Sequence, residues 1–216
     1  MSKKEDAIGS AEIYTDIRKK LIEAKFKATT KMKPEQLRSN YSCAASTMRE
    51  VLFRLASDGF LDFEEQRGFR VVTCTEESLV ELIHMRVLLE TEGAKLSIEQ
   101  GDIEWEAKLA AAHHKLAHIE QKMQINSATD SFVNSWSMAE WDFHATLISA
   151  CGSKLMRRQH KRIYDSFRQH LLNLKQHYGF RDNNNSEHQA IVEAAAARDV
   201  AACSKAISNH LLANLD

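Results

Sequence analysis

The sequence predicts a mostly α-helical protein, with a winged helix-turn-helix at the amino terminus and an antiparallel six-helix bundle after it. Three observations predict this. A single proline, Pro34, and seven glycines in 216 residues leave long stretches without a helix breaker. Residues 45–71 pass from a short polar entry through an amphipathic helix and a glycine stop into a hairpin with a basic tip. From Glu76 onward the apolar periodicity is helical throughout.

Residues 10–25 set Ile13, Ile17, Leu21 and Ile22 at helical spacing, with Ser10 as the candidate cap and Lys19 and Lys20 on the outer side. A second helix starts at Pro34, where a fixed φ and a missing N–H suit the first turn, and it carries Leu37 and Tyr41 inward. A third runs from Ala45 to Ser57, with Met48, Val51, Leu52 and Leu55 as its apolar stripe. Gly59, free to take the left-handed conformation, ends it. Two β-prone segments, 60–63 and 69–73, flank EEQRG and predict a hairpin tipped by Arg67 and Gly68. Six helices are then expected near 76–100, 102–124, 130–151, 153–177, 184–197 and 199–214. The breaks fall at Gly101, around Asn126, at Gly152, around DNNN and at Asp199, and such short joints favour antiparallel neighbours. The expected domains are residues 8–75 and 76–216.

Hydrophobic residues make up 44% of the chain, enough for one substantial core or two smaller ones. The net charge of −1 argues against a generic nucleic-acid-coating protein, but the charge is unevenly divided. Residues 1–75 hold 14 Lys and Arg against 11 Asp and Glu, and residues 76–216 hold 15 against 19. That sign suits a nucleic-acid module joined to an acidic partner domain. With no 18-residue apolar run and no apolar stretch at the amino terminus, the expectation is a cytoplasmic protein without membrane association. Cys43, Cys74, Cys151 and Cys203 lack metal-like CxxC spacing and read as reduced thiols.

Two motif sets occur in a defined order. The first is MREVLFRLASDGFL (48–61) and QRGFRV (66–71); the second is RVLLE (86–90), FHATL (143–147), EHQAIVEAAAARD (187–199) and NHL (209–211). On these residues the chain, from Ser10 to Leu212, resembles GntR-family transcription regulators of the FadR subfamily, which carry an all-helical FCD ligand-binding domain. GDIEWEA (101–107) and CGS (151–153) are similar to regulators of glutarate and related dicarboxylate catabolism. The resemblance implies a homodimeric, ligand-responsive regulator that binds double-stranded operator DNA and represses a catabolic operon.

A recognition helix sets its first residues against base edges in the major groove, with basic side chains on phosphates. Here the entry is Ala44, Ala45, Ser46 and Thr47, followed by Arg49 and Arg54. Ser46 and Thr47 suit base or phosphate contact, Arg49 the backbone, and Arg67 with Gly68 the adjacent minor groove. The family commonly has arginine where Ala45 stands, so the expected operator departs from the family's common one. The competing reading of Arg49, Arg54 and Arg67 is a solvated surface, with Glu50 and Arg54 paired four residues apart.

Among ten histidines, His144, His188 and His210 stand apart with Glu140. Glu140 and His144 share one helix face, and antiparallel packing would set His188 and His210 opposite them. Three imidazoles and a carboxylate suit a divalent transition metal, Zn first, with Ni, Mn or Fe as alternatives. In the metal-binding FCD proteins that this chain resembles, the first position is Asp, replaced here by Glu140. The resemblance implies capture of a small carboxylate effector whose oxygens complete the coordination. The competing reading is core histidines bonded to carbonyls. Asp142, two residues from His144, faces away, and His113, His114, His118, His160, His170 and His177 read as surface or packing residues. Arg86 either pairs with Glu90 or faces the effector, and Arg162 has the same two readings. Trp105, Trp136 and Trp141 are expected to pack between helices, Trp141 also as a cavity wall.

A metal-dependent hydrolase is the rival class, since such a cluster can activate water. No GxSxG, P-loop, dinucleotide fingerprint or HExxH occurs, and catalysis leaves the first 75 residues without a role, so no enzyme is expected. A helical interaction protein without DNA binding is the other alternative, favoured only by Ala44 and Ala45.

Overall fold

The computed structural model describes residues 9–125, 130–175 and 180–215; the expected break at Asn126 and His177 lie outside the described residues. In chain order the elements are α1 (Ser10–Ile22), β1 (Lys31–Met32), α2 (Pro34–Tyr41), α3 (Ala45–Ser57), β2 (Leu61–Glu64), β3 (Gly68–Val71), α4 (Glu76–Gln100), α5 (Ile103–Ile125), α6 (Asp130–Leu147), α7 (Lys154–Leu174), α8 (Asn184–Ala196) and α9 (Val200–Leu212). The protein is mostly α, as predicted, with a winged helix-turn-helix followed by six bundle helices. Two compact units form: residues up to Ser78 with the 165–175 segment, and 79–164 with 180–215.

In the first unit, Ile13, Ile17 and Leu21 of α1 meet the α3 stripe of Met48, Val51, Leu52 and Leu55, with Leu37, Tyr41, Phe60, Phe69 and Val71 completing an apolar core. Gly59 takes φ +86°, which lets the chain turn from α3 into the wing. The sheet is antiparallel in the order β1-β3-β2, with Met32 and Phe63 both opposite Phe69. Strand β1 was not foreseen, because two residues are too few to show an alternating pattern. Ser10 is not the cap of α1: Gly9 precedes the helix and its N–H donates to Glu12 Oε2 at 3.3 Å, so Ser10 is the first helical residue. The helix also stops at Ile22, short of residue 25, as Ala24 takes φ +50°. Gly68 opens β3 after the turn rather than sitting at its tip. The end of α7 belongs to this unit: Asp165 pairs with Arg18, and Asn173 Oδ1 accepts from the Ala28 N–H at 2.9 Å.

In the second unit, α4 buries Leu79, Ile83, Arg86, Glu90, Gly93, Ala94, Ser97 and Ile98 along one face. A Cβ at Gly93 would lie 2.8 Å from Ile148 Cγ2, so glycine permits this close approach. Helix α5 packs on α6 and α8, and α8 on α9. Helix α6 ends at Leu147 rather than near 151, giving way to a turn that leads into Gly152. Asp199 caps α9, its Oδ1 accepting the Ala202 N–H at 2.9 Å. No helix among the described residues is long and apolar enough to cross a membrane.

Candidate functional site

Helices α6, α8 and α9 bring three histidines together inside the second unit. Glu140 and His144 sit one turn apart on α6, His188 lies in the second turn of α8, and His210 in the last turn of α9. One nitrogen from each of His144, His188 and His210 lies within 4.8 Å of the other two. The rings are 4.4 Å apart for His188 and His210, 5.3 Å for His144 and His210, and 5.6 Å for His144 and His188. His144 and His188 are 0% exposed and His210 4%.

His144 Nε2 and both nitrogens of His188 are buried without a hydrogen bond. Leaving such a group unsatisfied costs about 1–3 kcal/mol, a cost that coordination to an ion would remove. The cluster therefore fits a divalent transition metal better than it fits a set of core histidines bonded to carbonyls. Glu140 Oε1 is 3.4 Å from His144 Nε2, and its carboxylate also accepts from the Tyr164 hydroxyl of α7.

Charged groups surround the imidazoles. Glu90, wholly buried, receives Arg86 Nε at 2.9 Å and lies 2.7 Å from His144 Nδ1 and 3.0 Å from His160 Nε2. Burial pushes the Glu90 carboxyl upward, but Arg86, His144 and His160 together hold it well below the usual carboxylate range. His144 is pushed up to about 9: burial opposes its charge, yet Glu90 and Glu140 outweigh that. His210 is pushed down to about 3, by burial first and then by the His188 and His144 charges. Glu90 and Glu140 thus favour the charged form of His144, and burial favours the neutral form of His210.

Arg86 is held by Glu90, the ion pair foreseen as one of its two readings. Arg162 is exposed, two residues along α7 from buried His160. Trp105 and Trp136 are buried; Trp141 stacks 5.3 Å from the His160 ring and 4.8 Å from Tyr164. His160, read as a surface or packing residue, is completely buried in the Glu90 network.

On the first unit, Ser46 and Arg49 at the start of α3 are exposed and Thr47 is half-buried. Arg49 has no ion-pair partner among the described residues. Arg54 lies not with Glu50 but 4.0 Å over the Tyr14 ring, and Arg67 pairs with Glu64 at 3.1 Å. Both ends of that second pair are exposed, so it is worth only about 0–1 kcal/mol. Gly68 takes φ +73° beside it.

The FCD domain family matches residues 81–213, and the gntR family of bacterial regulatory proteins matches residues 10–71. The chain belongs to the GntR family. It is an FCD-containing transcription regulator and not an enzyme. This GntR regulator is 28% identical over 198 residues to the uncharacterized HTH-type transcriptional regulator BphR of Paraburkholderia xenovorans (strain LB400), covering 92% of this chain and 80% of that one. It is 26% identical over 213 residues to the HTH-type transcriptional repressor GlaR of Escherichia coli (strain K12), covering 95% and 93%. The same fold occurs in E. coli McbR/YncC, with TM-score 0.76 at 16% identity over 95% of this chain and 94% of that one. It occurs again in a putative GntR regulator from Rhodococcus sp. RHA1, with TM-score 0.74 at 18% identity and 95% of each chain covered.

In this GntR regulator, Glu90, Glu120, His160, Tyr164 and Glu187 stand around the cluster and were not singled out by sequence reasoning as site residues. Glu90 lay within the RVLLE motif and Glu187 beside His188, but apart from Arg86 nothing in local spacing marks their partners.

Proposed function

We propose that this regulator represses a catabolic operon as a cytoplasmic homodimer, with residues 8–75 binding operator DNA and residues 76–216 sensing a small organic acid. Repression is supported by the similarity to GlaR, itself a repressor. The observation that carries the reading is the buried trio His144, His188 and His210, in which His144 Nε2 and both nitrogens of His188 lack a hydrogen bond. These residues, with Glu140, would hold a divalent transition metal, Zn first and Ni, Mn or Fe as alternatives. When bound, that ion supplies a Lewis-acidic point for a carboxylate oxygen. Arg86, paired with Glu90, serves the shell of the site, and Arg162 is exposed on α7.

At the DNA, Arg49 would neutralise a phosphate, Ser46 and Thr47 would meet bases or backbone, and Arg67 with Gly68 would approach the minor groove. Arg54, held over Tyr14, would support the helix and reach phosphate only at its flank. An effector shifts DNA binding only if it has different affinities for two arrangements of the heads, typically about 1–3 kcal/mol of coupling.

Elemental analysis and mass spectrometry of the denatured pure protein test the metal and any retained acid. The His144→Ala with His188→Ala protein should keep its helical circular dichroism but lose metal and effector response; full metal occupancy would overturn the reading. In gel shifts, Arg49→Ala should weaken binding evenly across sequences and reduce the salt slope by about 1. Unchanged operator affinity would remove Arg49 from the interface.

A further inference from the structure

Each imidazole of the cluster is backed on its Nδ1 by a glutamate from a different helix. Glu90 Oε2 of α4 lies 2.7 Å from His144 Nδ1, and Glu187 Oε2 of α8 lies 2.7 Å from His210 Nδ1. Glu120 Oε1 of α5 lies 3.5 Å from His188 Nδ1, an ion-pair distance without a hydrogen bond. Glu187 thus serves not its sequence neighbour His188 but the histidine on the facing helix.

We propose that Glu90, Glu120 and Glu187 are positioning residues of the metal centre, Glu90 and Glu187 accepting the Nδ1–H of His144 and His210 and Glu120 standing at ion-pair distance from His188 Nδ1, so that each presents its histidine's Nε2 to a common divalent ion. The proposal rests on the metal-centre reading given under Proposed function.

The chemistry follows from the imidazole. A neutral ring has one N–H and one lone pair, and an ionised carboxylate can only accept. A carboxylate beside Nδ1 therefore draws the proton there and leaves the lone pair on Nε2, besides fixing the ring's rotation. The same nitrogen faces the glutamate in all three pairs, which a random set of buried contacts would not require. His144 Nε2, on the side away from Glu90, is buried without a hydrogen bond, as a ligand nitrogen awaiting an ion should be.

The three glutamates are themselves held. Arg86 Nε donates to Glu90 at 2.9 Å, Trp136 Nε1 to Glu120 at 3.2 Å, and an Arg181 guanidinium nitrogen to Glu187 at 2.5 Å. Each carboxylate is thereby kept behind its histidine and out of the ligand set. Glu140 differs, because it approaches His144 from the Nε2 side, at 3.4 Å. The four glutamates therefore divide into one on the ion's side and three behind the rings.

The test uses the full chain, stripped with chelator and reloaded with Zn(II) or Co(II). Affinity is read by competition with a chromophoric chelator, and ring geometry by long-range nitrogen NMR of the Zn-loaded protein. Wild type should show Nε2 metallation with protonated Nδ1 at the three histidines. Glu90→Gln, Glu120→Gln and Glu187→Gln should each weaken Zn(II) about 10–100-fold and alter the visible Co(II) spectrum. Asp142→Asn, which changes an exposed carboxylate paired with Lys115, should leave both unchanged. If the Glu90 variant fails to fold, Glu187→Gln at its partly exposed position and the wild-type NMR still decide. Nδ1 metallation, or Gln variants within twofold of wild type, overturns the proposal while leaving the metal centre intact. A wild-type protein that takes up neither ion overturns the metal-centre reading, and this proposal with it.

Discussion

Among the described residues, α1 to α3 and the wing bury only apolar side chains and Tyr41, whereas the bundle buries Arg86, Glu90, Glu120, Glu140, His144, His188 and His210. The difference follows from where each unit meets its ligand. On the proposed function DNA is contacted from outside, so the α1–α3 core needs only to pack, and the proposed chemistry lies on the exposed start of α3. On the same proposed function a small acid would be enclosed, so the bundle carries its chemistry inward and accepts the cost of desolvating charge. The α1–α3 core and wing are thus specified by volume, and the bundle by volume together with buried polar pairs.

The largest expected effect breaks a polar partner. Arg86→Ala takes the guanidinium from Glu90 at 0% exposure and leaves it only the His144 and His160 imidazoles, and should destabilise the protein by about 3–5 kcal/mol in urea unfolding. A loss below about 1 kcal/mol would show that the bundle's ion pair is as dispensable as a surface one. In the head, Leu52→Ala at 0% exposure should cost about 2–5 kcal/mol through the cavity it opens. A smaller value would mean that the apolar core collapses around the gap.

The smallest effect concerns His170, the imidazole that α7 brings to the first unit. Burial pushes it below its ordinary value, against a hydrogen bond to the Ser166 carbonyl. The unfolded chain therefore takes up this proton at higher pH than the folded one. The associated stability is present above about 6.5 and is lost as pH falls below it. Thermal midpoints at pH 7.5, 6.5 and 5.5 should fall more steeply for wild type than for His170→Gln; parallel curves would show that His170 is not held neutral by the fold.

How much of this was legible depends on sequence distance. The α3 stripe and its stop at Gly59 follow from contacts within a few residues, and so does the shared face of Glu140 and His144. His188 and His210 needed only the antiparallel bundle in addition. Glu90 meets His144 across 54 residues and His160 across 70, and no periodicity reaches that far. Arg54 illustrates the same limit: Glu50 stands at the right spacing to pair with it, yet the Tyr14 ring, 40 positions earlier, holds the guanidinium. Gly9 and Ser10 are both acceptable caps, so only the backbone separates them.

None of the three clustered imidazoles is more than 4% exposed. An ion held there would have no direct route to bulk water and would leave only when helices part, so its residence time would follow the bundle's opening rate. Such an ion would outlast many rounds of effector arrival and departure. A cell would then load the protein once, near synthesis, and afterwards adjust it through the acid alone.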